Sequence, residues 1–167
     1  CGEHGVKWGG EMSDCVVMLK AGISFHERGN LEQANACYQS ALEANPDCAD
    51  AWYLCGRLAM DAGLLEDAEP LLLRAIELAP TVANYVLALG TLRARLGQSE
   101  AAKECYEKTL GLDSSLHQAY LGLARLKFAD GLYDEASALA RPLRSLPGAE
   151  RDQAEALVGE CVFATGS

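Results

Sequence analysis

The chain has 167 residues, is 50% hydrophobic, and carries 14 Lys+Arg against 24 Asp+Glu for a net charge of −10. That is enough chain to bury a core of its own, and its acidity excludes non-specific nucleic-acid binding, which needs a basic face for phosphates. No stretch approaches the roughly eighteen apolar residues of a membrane-spanning helix, and the N-terminus lacks the basic-then-apolar pattern of a secretory signal; a soluble, cytoplasmic chain is expected.

Residues 1–14 precede the first regular pattern. Gly2, Gly5, Gly9 and Gly10 predict a flexible segment. Met12, Ser13 and Asp14 look like a translation start followed by a helix N-cap, which makes 1–11 a cloning remnant or a fused peptide. Two other readings stand beside it. Acylation of Cys1, as in a mature lipoprotein, would place the chain in the periplasm at a membrane. Alternatively, Val6 and Trp8 dock into the chain's own groove, a route that also allows self-association. Cys1 and His4 form the one close Cys/His pair, and two ligands do not close a metal site. The seven cysteines are an odd number without a C-x-x-C pair, which predicts reduced thiols used as small apolar filler. No cofactor and no metal are expected.

From Cys15 onward the sequence repeats every 34 residues without insertion, giving units 15–48, 49–82, 83–116 and 117–150. The eighth column holds Gly22, Gly56, Gly90 and Ala124; the fifteenth, Gly29, Gly63, Gly97 and Gly131; the twentieth, Ala34, Ala68, Ala102 and Ala136. The eighteenth is acidic throughout, with Glu32, Glu66, Glu100 and Asp134, and the twenty-fourth reads Tyr38, Leu72, Tyr106 and Ala140. Each column has a physical reason. A glycine inside a helix is tolerated where a partner helix comes close. The fifteenth-column glycine supplies the left-handed conformation that ends the first helix. The acid meets the positive end of the second helix. Each unit is therefore an antiparallel helix pair that must stack on its neighbours to cover its apolar stripe. Pro142 falls inside the last second helix and predicts a kink or an early end there. Residues 151–167 then read as a capping helix, over 151–164, and a short tail.

Trp52, Cys55, Gly56, Ala68, Leu72, Ala75 and Pro80 resemble the W-x2-L-G, A-x3-F, A and P pattern of the tetratricopeptide repeat family, with Cys55 and Leu72 as departures. The resemblance covers 15–150 and weakens in the fourth unit, at Ala124 and Ala140. It implies an all-α, right-handed superhelical solenoid of four 34-residue repeats plus a cap, whose first helices line a concave groove. In this family, positions 2, 5, 6, 9, 12 and 13 of each repeat face that groove. The fifth position gives Leu19, Tyr53, Leu87 and Leu121, and the ninth gives Ile23, Arg57, Thr91 and Arg125. Met60 and Phe128 stand at the twelfth and Arg95 at the thirteenth. These eleven residues are the expected partner-binding set, the fifth-position side chains being alternatively packed between helices. Lys20, Arg57, Arg95 and Arg125 face Glu27, Asp50 and Asp61 among the groove positions, so the groove is less acidic than the chain and its last two repeats carry only positive charge.

The resemblance also separates functions. The Lys and Asn clamp that family co-chaperones close on acidic C-termini is replaced here by Leu19, Ile23, Leu54, Asn84 and Ala88. The asparagine ladder of glycosyltransferase arms is replaced by Lys20, Leu54, Ala88 and Gly122. No phosphate loop, metalloprotease or nucleophile-elbow motif is present, which argues against an enzyme. The expectation is a protein-protein interaction module, an adaptor, scaffold or chaperone, taking a polypeptide with apolar anchors and some acidic residues. A bacterial chaperone of secretion substrates is its sharper form. An arm of a larger enzyme, such as a glycosyltransferase or sulfotransferase, and an envelope assembly lipoprotein are the alternatives.

Overall fold

The computed structural model describes residues 8–166. Among them nine α-helices follow one another with no strand: α1 Trp8–Glu27, α2 Leu31–Ala44, α3 Ala49–Asp61, α4 Leu65–Leu78, α5 Ala83–Arg95, α6 Ser99–Leu112, α7 His117–Ala129, α8 Tyr133–Ala140 and, after a 3-10 turn at Arg141–Ser145, α9 Ala149–Thr165. The Cys1–His4 pair and the docking of Val6 and the Trp8 side chain lie outside the described residues. α1 takes in Ser13 and Asp14, which the sequence placed at its N-cap; once a helix is nucleated, each further residue adds a hydrogen bond at little cost.

The helix pairs end and turn by one device. Gly29, Gly63, Gly97 and Gly131 have φ between +75° and +80°, a region that a side chain disfavours. After each first helix the glycine N–H donates to the carbonyl three residues back, and the next N–H reaches five back. Gly29 N–H to His26 O and Asn30 N–H to Phe25 O, both 2.9 Å, begin a series continued by Leu64 to Ala59, Gln98 to Arg93 and Leu132 to Lys127. This is the Schellman closure, which satisfies the orphan carbonyls of the helix end. Glu32, Glu66, Glu100 and Asp134 then sit in the first turns of α2, α4, α6 and α8.

Within each pair the eighth and twenty-fourth columns compensate in volume. A Cβ on Gly22 would strike the Tyr38 ring; one on Gly56 would lie 2.8 Å from the Leu72 side chain, and one on Gly90 3.0 Å from Tyr106. Where Ala124 replaces the glycine, Ala140 stands in the twenty-fourth column, and both are fully buried. A large residue therefore enters where its neighbour has no side chain, as close packing demands.

The chain divides into two compact units, one up to Pro80 and one from Thr81. In the first, α1 pairs with α2 and α3 with α4, α2 packing on α3. Its core joins Leu19, Tyr38, Leu42, Cys55 and Leu58. The Trp52 indole donates to the Pro46 carbonyl at 2.7 Å, tying the α2–α3 connection to α3. In the second, α5 pairs with α6 and α7 with α8, while α9 packs on α7, α8 and the 3-10 turn. Leu121, Leu143, Leu157, Val158 and Cys161 form one core there.

Two prolines in second helices behave differently. Pro142 ends α8 after eight residues and opens the 3-10 turn, as the sequence predicted. Pro70, not singled out in the sequence, lies inside the unbroken α4. Residues 71–78 that follow Pro70 are strong helix formers anchored by buried Leu72 and Ala75. After Pro142 only four residues precede Pro147, which holds Leu146 extended at ψ 155°, so no further α-turn forms.

Candidate functional site

In the first unit a cavity of about 310 Å³ opens between α1 and α3 over α2, lined by Ile23, His26, Glu27, Tyr38, Leu54, Arg57 and Asp61. Helical spacing places Ile23, His26 and Glu27 on one face of α1, and Leu54, Arg57 and Asp61 on one face of α3. His26 Nε2 and Asp61 Oδ2 are 2.9 Å apart, and the His26 ring stands edge-on to Tyr38, 6.4 Å between centroids. Burial pushes the Tyr38 hydroxyl up to about 12, with the Cys55 thiol and Glu27 carboxylate adding to it and Arg57 opposing. Burial alone would lower the Arg57 guanidinium; contact with Tyr53 and the Asp61 charge outweigh this and hold it above its usual value. That guanidinium lies 5.9 Å from the centre of the Tyr53 ring. Tyr38 is fully buried, and its hydroxyl has no hydrogen-bond partner among the described residues.

In the second unit a larger cavity, about 550 Å³, has Thr91, Ala94, Arg95, Tyr106, Gly122 and Arg125 in its wall. Each of these is the residue 68 positions after Ile23, His26, Glu27, Tyr38, Leu54 and Arg57. The same pocket is thus built twice with different chemistry. Ala94 and Gly122 widen it where His26 and Leu54 narrow the first. Thr91 hydrogen-bonds the Tyr106 hydroxyl and donates onward to the Leu87 carbonyl at 3.0 Å. Burial still raises Tyr106 above its ordinary value. α9 closes this pocket: Ala149, Glu150 and Gln153 line it, and Arg125 donates to Gln153 at 3.4 Å. A neighbouring cavity joins Arg125 and Phe128 to Asp152, Gln153, Leu157 and Glu160.

A family model described as tetratricopeptide repeat matches residues 19–83 and 87–150. The chain belongs to the tetratricopeptide repeat family. It is 30% identical over 115 residues to the human tetratricopeptide repeat protein 7A, covering 69% of this chain but 13% of that protein. The chain is therefore a small part of that relative's length. Among solved structures, it superposes with TM-score 0.74 and 25% identity on an O-GlcNAc transferase of Thermobaculum terrenum, covering 78% of this chain and 26% of that one. It matches the second tetratricopeptide domain of human RPAP3, solved with an HSP70 peptide, with TM-score 0.65 and 25% identity, covering 71% of this chain and 98% of that one.

The tetratricopeptide register explains where the expected site residues fall. Ile23 and Arg57 meet in the first pocket, and Thr91, Arg95, Leu121 and Arg125 in the second. Phe128 borders the cavity beside α9, in a tilted contact with Tyr133 at 5.2 Å. Tyr53 lies beside Arg57. Leu19, Leu87 and Leu121, at the fifth position of α1, α5 and α7, and Met60, at the twelfth position of α3, are buried in the helix packing. Column reading missed the two tyrosine floors, whose signal was the aromatic in the twenty-fourth column. It read 151–164 as a capping helix but did not place it in the pocket walls, where α9 brings Glu150, Asp152 and Glu160 to surfaces that the repeats alone make positive.

The thiols occupy packing positions. Burial pushes Cys15 and Cys55 up to about 11 and also raises Cys105 and Cys161, so these sulfurs stay protonated and are weak nucleophiles at neutral pH. Cys15 Sγ lies 3.3 Å from Cys48 Sγ. No group of three or more His, Cys, Asp or Glu is placed to hold a metal among the described residues, and no described helix is long and apolar enough to cross a membrane.

Proposed function

We propose that this tetratricopeptide chain is a non-enzymatic interaction module that holds a segment of a partner polypeptide against the pockets of its first helices. The observation that carries this is the recurrence of one pocket at positions 68 residues apart, each combining apolar wall, buried tyrosine and arginine. Concave, mostly apolar sites with a few convergent polar groups are where ligands bind. The peptide complex of the RPAP3 domain supports the class of ligand, although the Lys and Asn clamp is absent here. In the second pocket Arg95 and Arg125 suit acidic side chains among apolar anchors. Adaptor, scaffold or chaperone is the role such a module serves, in the cytoplasm.

The test is a calorimetric titration of the full chain with amidated peptides of alternating leucine and glutamate. Arg95→Glu with Arg125→Glu is expected to weaken binding and flatten its salt dependence at unchanged helicity. Unchanged affinity would remove the charge role of this pocket, and no binding of any apolar-acidic peptide would sink the groove reading.

A second reading, the arm of a larger enzyme, is favoured by the likeness to the O-GlcNAc transferase and by the small share of longer relatives that this chain spans. A catalytic domain in the same reading frame would establish it. The envelope lipoprotein reading stands or falls with acylation of Cys1, read by intact mass.

A further inference from the structure

Two buried side-chain oxygens among the described residues lack a hydrogen-bond partner, Tyr38 Oη and Ser137 Oγ, and Tyr38 lines the first-unit cavity. The homologous pocket shows how the fold otherwise avoids this: Tyr106 is partnered by Thr91, where the first unit has Ile23. A buried hydroxyl left unpaired is destabilising, so the difference asks for a group from outside.

The charges around it narrow what that group is. Asp61 faces both His26, at 2.9 Å, and the Arg57 guanidinium. Glu27, exposed at the same rim, is in no ion pair or hydrogen bond among the described residues. The pocket thus holds one compensated acid, one uncompensated acid and an oxygen without a partner. Its 68-shifted counterpart has Arg95 in place of Glu27 and Ala129 in place of Asp61. A long basic side chain meets every demand of the first pocket at once. Its N–H groups donate to the Glu27 carboxylate and to Tyr38 Oη, and its methylene stem lies along Ile23 and Leu54. The His26 ring stands edge-on to Tyr38 and is tethered to an exposed carboxylate, so a side chain that reaches the buried hydroxyl has to displace it.

We infer that the first-unit pocket is a subsite for a lysine or arginine side chain of the partner polypeptide, held by Glu27 and Tyr38, so that the two homologous pockets select side chains of opposite charge. This rests on the reading of these pockets as polypeptide-binding sites.

The experiment is an NMR titration of the full chain with the peptide acetyl-Ser-Leu-Lys-Leu-Ser-amide and its versions with glutamate or norleucine at the centre. The lysine peptide is expected to shift the His26 and Tyr38 ring signals and to bind there about fivefold more tightly than the glutamate peptide, a ratio in the range of one exposed ion pair or hydrogen bond. Tyr38→Phe, Glu27→Gln and Ile23→Thr are each expected to weaken it, the last by giving Tyr38 the internal partner that Tyr106 has. Ser137→Ala, which removes the other unpartnered oxygen and lies outside both pockets, leaves it unchanged. Tyr38→Phe and Ile23→Thr should also raise the melting temperature, which separates lost recognition from lost folding. Peptides that perturb His26 and Tyr38 without preferring lysine overturn the subsite and leave the groove reading standing. Peptides that perturb neither pocket overturn both.

Discussion

Tyr38 and Tyr106 occupy the same repeat position, 68 residues apart, and both form the buried floor of a pocket, yet Tyr106 has Thr91 as partner and Tyr38 has none. The rims differ in the same sense: Glu27 and Asp61 in the first unit, Arg95 and Ala129 in the second. Repetition thus preserves the backbone and the tyrosine floor of the pocket, while its volume and chemistry are reset by single substitutions on the first helices. Resetting the rim this way is cheap for the fold, because Ile23, Glu27, Asp61 and their counterparts Thr91, Arg95 and Ala129 are exposed.

The strongest way to break this comparison is to fill the space under both floors. Gly22→Leu and Gly90→Leu are expected to lower stability by about 1–3 kcal/mol each through overpacking, with Gly22 the more sensitive because its Cβ would strike Tyr38 while that of Gly90 lies 3.0 Å from Tyr106. Urea denaturation of the two variants reads both effects, and an unchanged midpoint would show the helix register to be wrong. Removing the hydroxyls sharpens the contrast. Tyr106→Phe should cost about 1 kcal/mol, and Tyr38→Phe should gain about as much, since only the first loses a hydrogen bond; effects of equal sign in calorimetric melting would contradict the difference between the floors.

The smallest effect concerns the turns behind the pockets. Asp113 Oδ1 accepts from the Ser115 hydroxyl at 2.7 Å and from its backbone N–H at 2.9 Å, and these donors hold its carboxyl below the ordinary value. Asn45, at the equivalent place in the first unit, accepts from the Asp47 N–H without a titrating charge. A depressed folded value means a stabilisation present above the ordinary carboxylate range, near about pH 4, and lost as pH falls through the lowered value. Asp113→Asn should therefore flatten the acid limb of the melting temperature between about pH 5 and pH 2. An unaltered limb would show that the turn gains nothing from the charge.

The glycine turns, the acid-started second helices and the helix break at Pro142 were legible because each rests on a contact within a few residues along the chain. The eighth column was legible as a close contact, and its compensation by the twenty-fourth is visible in the same alignment. What escaped was diagonal. Whether Tyr38 has a partner depends on the residue in another column, Ile23 against Thr91, and a column-by-column reading does not pair them. Arg125 meets Gln153 from a helix outside the repeat, so the charge of that wall could not be summed from the repeats. Leu19, Leu87 and Leu121 were read both as groove-facing and as packed between helices, and Met60 as groove-facing, because position number does not say which side of a stripe the rotation of each helix buries. Pro70 escaped because a local rule weighs the proline and not the eight residues after it.

The indole of Trp52, bound to the Pro46 carbonyl and half-buried against the first core, also makes the molecule its own spectroscope. Trp8 and Trp52 are the two tryptophans of the chain and both belong to the first unit, so in a Trp8→Phe background the tryptophan emission comes from Trp52 alone. Its wavelength then follows the loosening of α3 from the preceding loop, while circular dichroism sums all helices. A lag between the two signals on heating would time the first unit against the second without any label.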